Sequence, residues 1–533
     1  MTTIGLARSF RSAFDALTAT LLDVSRRDRA MLLLLAAYAA AWTLYGTIAK
    51  SSQDLHPDMT ELIAWSRDPS LGYPKHPPLG AWLVRLWFDV LPLTDWSFYL
   101  LAMLMPTLAL WIVWRFSADY LNAEKRVAAV ALLMLIPFYN FHALKYNANT
   151  VLVPAWAATT FLFLRSYRSH DALYAALAGI GAAVSMLTKY WSVFLLIGLI
   201  AAALIDPRRR AYFRSPAPWI TMATGLALLS PHLIWLYQHD FVPVRYALAK
   251  HATHSPVQSL REAFSYLLGA AAFAAAPVIL ALAAVRPSRA TLAEMIWPSD
   301  SERRMAAIAF WGPLLLPVVG TLASGTTPTP LWSMSAWALL PMLLLSPSGV
   351  RIAPINLQGI LALALAEPLV MLIAAPAVAL AIHYAGVTPP AAHGRLLAAQ
   401  TEQAWRQATA QPLRFVGCDV GNEVIAYAQD RPRPLAWRFF GGDIADTVYA
   451  DGHGWPRTAP GPSEPSDAQL AESGMALVCS ANDGSWVEPA AARAAHNPAA
   501  KRLDVEVARD FWGLPGQPQR YTIFIIPPRP DFN

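Results

Sequence analysis

The sequence contains few charged residues for its length. Only 14% of its 533 residues are Asp, Glu, Lys or Arg, whereas soluble globular domains average about 25%. Hydrophobic residues make up 56% of the chain, so a water-exposed surface would carry large apolar patches. This composition excludes a soluble globular protein and a disordered chain, and it indicates a polytopic α-helical membrane protein.

The charges that are present carry a small positive excess. Lys and Arg number 41 and Asp and Glu number 35, which gives a net charge of +6. The arginines occur in short clusters between apolar runs rather than along one face. This distribution is typical of the cytoplasmic loops of membrane proteins, and it argues against nucleic acid as a partner.

Eleven apolar runs approach the length needed to cross a bilayer core about 30 Å thick. They lie near residues 31–49, 96–116, 127–140, 150–165, 172–187, 190–205, 217–236, 263–285, 305–324, 330–346 and 355–384. Basic residues concentrate in the connections on one side: Arg115, Lys125, Arg126, Arg165, Arg168, Arg208, Arg209, Arg210, Arg214, Arg286, Arg289, Arg303, Arg304 and Arg351. Because cytoplasmic loops carry this excess, we expect a cytoplasmic N-terminus and, after eleven spans, an external C-terminal region.

Residues 1–30 precede the first run and are predicted to form an amphipathic helix. Leu6, Phe10, Phe14 and Leu17 recur at helical spacing, and arginines lie between or after them. Such a helix would lie on the inner leaflet, and a partly disordered cationic tail is the alternative. The transmembrane domain is then expected over residues 31–387.

The composition changes after residue 387, because residues 388–533 have soluble frequencies of Gly, Pro, Asp and Arg. Strands are predicted over 413–418, 475–479 and 520–526, and a short helix over 422–428, which indicates a small external α/β domain. Cys418 and Cys479 each end a predicted strand. An oxidising compartment would allow a disulfide between them, and two unpaired buried thiols are the alternative.

The first external loop, residues 50–95, is long and polar, and it groups the side chains His56, Asp58, Glu61, Tyr73, Lys75 and His76. A carboxylate beside cations suits a reaction between an acceptor hydroxyl or amine and a phosphate-linked leaving group. The carboxylate would take the proton, and the cations would offset charge on the phosphate. An ordinary solvated loop is the alternative.

This loop resembles the first-loop signature of bacterial glycosyltransferase family 39, whose members have the GT-C fold. The matching elements are Asp58, Trp65-Ser66, Gly72-Tyr73, His76-Pro77-Pro78-Leu79 and Trp82. The resemblance continues through Lys145-Tyr146-Asn147-Ala148-Asn149, Thr188-Lys189-Tyr190 and Ser230-Pro231-His232. It therefore covers roughly residues 30–250.

The resemblance implies a specific activity, since the family includes 4-amino-4-deoxy-L-arabinose lipid A transferase and the protein O-mannosyltransferases. Such enzymes move a sugar, with inversion, from a polyprenyl-phosphate donor to a lipid, polysaccharide or protein acceptor at the periplasmic face of the bacterial inner membrane. Asp58 matches the general base, and Lys75 or His76 is expected near the donor phosphate. The second acidic residue of the family falls at Met59, which leaves Glu61 as the nearby candidate.

Further substrate contacts are predicted at Lys145, Tyr146, Asn147, Lys189 and Arg245, besides Tyr73, Lys75 and His76. An arginine can clamp a phosphate through two hydrogen bonds. The alternatives are a snorkelling lysine at 145, an anchoring lysine in the hairpin at 189 and a solvated arginine at 245. No cofactor is required, although His56, Asp58 and Glu61 could form a partial divalent-cation site.

Two other functions are open to this sequence: a transporter or flippase of a lipid-linked substrate, and a non-catalytic carrier-binding subunit. A transporter would be expected to show internal repeats and charged or broken helices near the bilayer midplane. The chain has one such central acid, Glu367, and no convincing repeat. The sequence therefore favours the glycosyltransferase.

Overall fold

The computed structural model describes residues 3–252, 255–386, 389–435 and 465–529. The chain divides into two compact units. The first unit comprises Met1–Tyr45, Tyr99–Ser230 and His251–Ile373, and the second comprises Gly46–Phe98, Pro231–Lys250 and Ala374–Asn533. The loop of residues 50–95, which is predicted to be external, thus groups with the C-terminal region in one unit. The linear domain boundaries at residues 30 and 387 stay predictions.

Seventeen helices precede the C-terminal region in the described ranges. They are α1 (Thr3–Leu22), α2 (Arg27–Ala49), α3 (Pro57–Ser66), α4 (Leu79–Val90), α5 (Asp95–Phe116), α6 (Ala123–Met134), α7 (Ala148–Ser169), α8 (Ala172–Thr188), α9 (Ser192–Ile205), α10 (Arg209–Arg214), α11 (Ala217–Gln238), α12 (Val242–Lys250), α13 (Pro256–Val285), α14 (Arg289–Ile296), α15 (Ser301–Ser324), α16 (Leu340–Leu345) and α17 (Pro354–Ala385). The amphipathic segment predicted at the N-terminus is helical as α1, and the tight hairpin predicted near residue 189 joins α8 to α9.

In the described ranges, six helices are long and apolar enough to cross a membrane by length and composition: α2, α5 with the turn after it, α11, α13, α15 and α17. They coincide with six of the eleven predicted runs, so the chain is a multi-pass membrane protein. Runs 127–140, 150–165, 172–187 and 190–205 correspond to α6 to α9, of which α6, α8 and α9 are shorter than 18 residues. The total of eleven spans stays a prediction.

The run at 330–346 differs from a single span. It consists of two 3₁₀ segments, Pro330–Ser333 and Ala336–Leu339, followed by α16. Pro330 and Pro341 lack a backbone N–H, and proline is tolerated at the start of a helical segment rather than inside one. An apolar run alone does not reveal such an interruption.

Ion pairs link several of the arginine-rich connections in the first unit. The Asp119 carboxylate lies 2.8 Å from Nε of Arg165 and 2.7 Å from a guanidinium nitrogen of Arg168. Glu302 lies 3.8 Å from Arg168 and 3.0 Å from Arg208. The connections after α5, α7 and α9 and before α15 therefore lie at the same end of the helices, as the charge pattern predicts.

The C-terminal region of the second unit is an α/β domain, as predicted. Its elements are α18 (Pro389–Ala408), β1 (Phe415–Gly417), α19 (Gly421–Tyr427), β2 (Arg433–Pro434), α20 (Asp467–Ser473), β3 (Met475–Ser480), α21 (Gly484–Ala494), β4 (Lys501–Val507) and β5 (Gln519–Ile526). Within the described ranges they form a five-stranded sheet in the order β2-β1-β3-β5-β4. Strand β1 is parallel to β2 and β3, and β5 is antiparallel to β3 and β4.

Helix α3 of the first external loop shares a hydrophobic core with this domain. Ala64 of α3 is buried together with Leu397 and Trp405 of α18, Val424 of α19 and Ile523 of β5. Burial of apolar area stabilises folded proteins by about 25 cal/mol per Å². The C-terminal domain therefore fixes the position of the helix that carries the predicted catalytic residues.

The two cysteines form a disulfide bond. Cys418, directly after β1, is bonded to Cys479 of β3, and their Cα atoms lie 5.3 Å apart. Of the two alternatives that the sequence left open, the structure shows the disulfide.

This bond is expected to stabilise the C-terminal domain. It joins residues 61 positions apart, and closing a loop of that length removes roughly 4 kcal/mol of unfolded-state entropy. The Cys418→Ala/Cys479→Ala variant should therefore unfold at a lower temperature than the oxidised protein, and wild-type protein with reductant should unfold like the variant. Equal melting temperatures for the oxidised and reduced proteins would contradict this.

Candidate catalytic site

Helix α3 places two predicted acidic residues on one face. His56 caps its N-terminus, because Nδ1 of His56 accepts the backbone N–H of Asp58 at 3.1 Å. Asp58 and Glu61 are three residues apart, so they share a helix face. Met59 is 1% exposed and belongs to the core. The position where the family carries its second acid therefore faces away from this site.

Glu61 forms an ion pair with Lys75, whose Nζ lies 2.8 Å from the carboxylate. Burial raises the pKa of Glu61, and the neighbouring Lys75 partly opposes that rise. The two side chains are 18% and 27% exposed, whereas the side chain of Asp58 is 41% exposed. The structure thus holds a half-buried ion pair one helical turn from a more accessible carboxylate.

The loop that carries Lys75 and His76 is held by Tyr73. The Tyr73 N–H donates to the His76 carbonyl oxygen at 3.1 Å, and its hydroxyl donates to the Trp65 carbonyl oxygen at 3.0 Å. Its ring stacks on Trp65 with centroids 4.8 Å apart, and it is 2% exposed. Tyr73, predicted as a substrate contact, is therefore placed to orient its neighbours.

The end of α11 and helix α12 approach the same loop within the second unit. Nδ1 of His232 donates to the Leu71 carbonyl oxygen at 2.6 Å. A Cβ atom at Gly72 would lie 2.3 Å from the Trp235 ring, so a larger residue does not fit at position 72. Helix α12 brings the Tyr246 ring to 5.9 Å from Nζ of Lys75. Arg245 precedes Tyr246 in this helix and is half-buried.

An ion-pair network centred on the buried Asp54 anchors the start of the loop to the C-terminal domain. Asp54 is 1% exposed and accepts a hydrogen bond from the guanidinium of Arg509. It also accepts the backbone N–H of Arg395 at 2.9 Å. Arg395 in turn lies 2.8 Å from Asp95, which accepts the Tyr427 hydroxyl at 3.2 Å. Sequence reasoning missed these residues, because no local motif contains them.

A third acid, Glu423 of α19, lies behind α3. It is 4% exposed, and its Oε1 lies 3.4 Å from the hydroxyl of Thr60, the residue before Glu61. Its other oxygen is buried and has no hydrogen-bond partner among the described residues. Burial, with smaller contributions from Asp419 and Glu61, raises the pKa of Glu423 to about 7. A short helix gives no sequence signal for such a role.

Four predicted substrate-binding residues lie in the first unit: Lys145, Tyr146, Asn147 and Lys189. Asn147 caps α7, since its side-chain oxygen accepts the N–H of Asn149 at 2.9 Å. Nζ of Lys189 donates to Oδ1 of Asn149 at 2.7 Å and lies 4.5 Å from the centre of the Trp332 ring. Lys145 is half-buried and Tyr146 fully buried. The motif segments at residues 145–149 and 188–190 are therefore in contact. Trp332 is a neighbour of Lys189 that the sequence did not indicate.

The residues of the predicted partial metal site do not converge. Nδ1 of His56 lies 3.6 Å from Oδ1 of Asp58, and Glu61 is paired with Lys75. In the described ranges, the one group of His, Cys, Asp or Glu side chains at ligand spacing is Cys418, Asp419 and Cys479. Its two cysteines are joined by the disulfide.

Comparisons with known proteins agree with this architecture. Residues 75–235 match the family model described as dolichyl-phosphate-mannose-protein mannosyltransferase. The chain is 28% identical over 228 residues to the lipopolysaccharide core galacturonosyltransferase RgtB of Rhizobium johnstonii, and 24% over 196 residues to its lipid A galacturonosyltransferase RgtD. These matches cover 42% and 36% of this chain, and 46% and 41% of the relatives, which is less than half of their length. The matched segment of the family model begins at Lys75 and leaves out Asp58 and Glu61.

The fold is similar to that of ArnT from Cupriavidus metallidurans. The structure of ArnT bound to undecaprenyl phosphate superimposes with a TM-score of 0.61 at 13% identity, over 92% of this chain and 97% of ArnT. Apo ArnT gives a TM-score of 0.57 over the same shares. The chain therefore has the GT-C fold, and its resemblance to glycosyltransferase family 39 is confirmed.

Proposed function

We propose that this protein transfers a sugar, with inversion, from a polyprenyl-phosphate donor to an acceptor at the periplasmic face of a bacterial inner membrane. The observation that carries the proposal is the arrangement on α3. An accessible carboxylate, Asp58, lies one turn from the Glu61–Lys75 ion pair, inside the loop that resembles the family signature. This arrangement provides a base and a phosphate-binding cation next to each other.

Asp58 is the proposed general base. The acceptor oxygen or nitrogen attacks the anomeric carbon while the bond from that carbon to the phosphate oxygen breaks. Asp58 takes the acceptor proton, and the electron pair of the broken bond leaves with the polyprenyl phosphate. A single displacement of this kind inverts the anomeric centre. The 41% exposure of the Asp58 side chain gives an acceptor access to it.

Lys75 is the proposed contact to the donor phosphate, and Glu61 keeps it charged and oriented. A positioned ammonium stabilises charge as it develops on a leaving phosphate. The 2.8 Å ion pair limits the positions that Lys75 can occupy. Arg245, which precedes Tyr246 in α12, is a second candidate because a guanidinium can bind phosphate through two hydrogen bonds.

Within the first unit, Lys189 and Lys145 are proposed as substrate contacts. Lys189 is oriented by a charge-assisted hydrogen bond to Asn149 and by a cation–π contact with Trp332. A lysine with two such partners loses less side-chain entropy on binding a phosphate than an unconstrained one.

The comparisons indicate which substrates to test first. RgtB and RgtD are named for lipopolysaccharide core and lipid A, and the ArnT structure contains undecaprenyl phosphate. We therefore propose an undecaprenyl-phosphate sugar as donor and lipopolysaccharide as acceptor. Transfer of radiolabelled sugar between purified substrates would test both.

Asp58→Asn should abolish transfer while leaving the protein folded. The amide cannot accept the proton, so kcat should fall about 10²- to 10⁴-fold with little change in KM. Asp89→Asn is the matched control, because Asp89 is an acid of the same loop paired with Arg85 on α4. Near-normal turnover by a folded Asp58→Asn protein would contradict the assignment.

Lys75→Gln should instead weaken donor binding. Losing one charge-assisted hydrogen bond to phosphate costs about 1.5–3 kcal/mol, so KM for the donor should rise roughly 10- to 100-fold. Glu61→Gln should also raise KM for the donor, because Glu61 acts through Lys75. Arg85→Gln is the control, because it removes a cation of the same loop that is paired with Asp89 instead; its KM for the donor should be that of wild type. If Glu61→Gln lowers kcat as Asp58→Asn does, Glu61 is a second catalytic acid.

Glu423 is proposed to support α3 in its protonated form. Its pKa is about 7 in the folded protein against an ordinary 4.5, so the folded state holds a proton that the unfolded chain has lost in this window. Stability should therefore fall as the pH rises from about 4.5 to 7, by roughly 3 kcal/mol in total.

Glu423→Gln removes that dependence. At pH 8 the variant should have a higher melting temperature than wild type. At pH 5 this difference should be much smaller. Glu472→Gln, which changes an exposed acid of the same domain, is the control. Its melting temperature should differ from that of wild type by the same amount at pH 5 and pH 8. A pH-independent difference for Glu423→Gln would show that this carboxyl does not titrate as described.

A further inference from the structure

A cavity of about 490 Å³ lies in the first unit, and its lining includes none of the residues of the proposed reaction. Its walls are the end of α1, the start of α6, the segment before α17 and the first turn of α17. Gln358 of α17 donates to Asp15 of α1 at 2.9 Å, which joins two of these walls. The cavity lies at the end of the helices where the arginine-rich connections are found, since Lys125 lines it and Arg126 follows directly.

Two cations line this cavity, Lys125 and Arg351. In the described part of the chain, neither side chain makes a hydrogen bond or an ion pair. Burial and the nearby Arg303 lower the pKa of Lys125, so an anion here would relieve an unfavourable environment. Glu124 is the one acidic residue among the lining side chains. The net charge of Lys125, Arg351 and Glu124 together is therefore +1.

The remaining lining is suited to an amphiphile rather than to a simple ion. Leu22, Val350 and Leu357 give the cavity an apolar part. Val24 and Ile355 follow closely in sequence and are 78% and 68% exposed. The volume also falls in the ~300–1,000 Å³ range of sites for small organic ligands, more than a lone phosphate fills.

We propose that this cavity binds the phosphate-containing headgroup of an anionic phospholipid. Lys125 and Arg351 contact the phosphate, and the acyl chains extend along the exposed apolar residues at the end of α1 and the start of α17. Anionic leaflets attract basic segments of membrane proteins, and each basic residue contributes to that attraction. None of the lining residues takes part in the proposed sugar transfer, so this inference does not depend on the proposed function.

Native mass spectrometry of the full chain in zwitterionic detergent, titrated with phosphatidylglycerol, tests this. Lys125→Gln/Arg351→Gln should bind phosphatidylglycerol roughly 10- to 30-fold more weakly than wild type. Arg210→Gln, an exposed arginine at the same basic end, should bind like wild type. Glu124→Gln should bind several-fold more tightly, a gain that misfolding does not produce.

Three results would overturn the proposal. The first is unchanged binding by the double variant. The second is an equal loss in Arg210→Gln, which would indicate diffuse attraction rather than a site. The third is a lack of lipid selectivity, seen as equal binding of phosphatidylcholine or as displacement of phosphatidylglycerol by millimolar inorganic phosphate.

Discussion

The buried carboxylate of Asp54 is the constraint on which the second unit depends. A carboxylate that is 1% exposed is stable in its charged form only when it is paired and hydrogen-bonded. Arg509 and Arg395 supply that pairing, and Arg395 also reaches Asp95. Removing one partner of such a buried pair typically costs about 3–5 kcal/mol. Because Asp54 lies two residues before the cap of α3, this network fixes where the helix with Asp58 begins.

The network also explains why the C-terminal domain and the loop of residues 50–95 form one unit. Tyr427 accepts the N–H of Leu55 at 2.8 Å, and Ala64 lies in the same core as the sheet. Helix α3 therefore packs against α19 and shares the core of α18, α19 and β5, in addition to its contacts with α4 and Tyr73 nearby in sequence. The face with Asp58 and Glu61 is only partly exposed, and the remaining residues of α3 from Met59 onward are buried.

Local patterns were sufficient to predict much of the fold. Six apolar runs are long apolar helices, and the strands predicted at 475–479 and 520–526 correspond to β3 and β5 within one residue. The first-loop motif grouped Asp58, Glu61 and Lys75 as candidates, and the structure pairs Glu61 with Lys75. What the sequence could not give is long-range pairing, because Asp54 and Arg395 are 341 positions apart and Thr60 and Glu423 are 363 apart. Tyr73 shows a second limit, since a motif identifies a position without telling whether its hydroxyl faces a substrate or the backbone.

The distance in sequence between Asp54 and its partners has a consequence for biosynthesis. The first external loop is made more than 300 residues before Arg395, and N-terminal parts of a chain are available to fold first during synthesis. Until α18 emerges, Asp54 has no guanidinium to pair with and α3 has no core to join. We therefore expect the helix that carries the proposed general base to be among the last parts of the molecule to become ordered, although it is among the first to be translated.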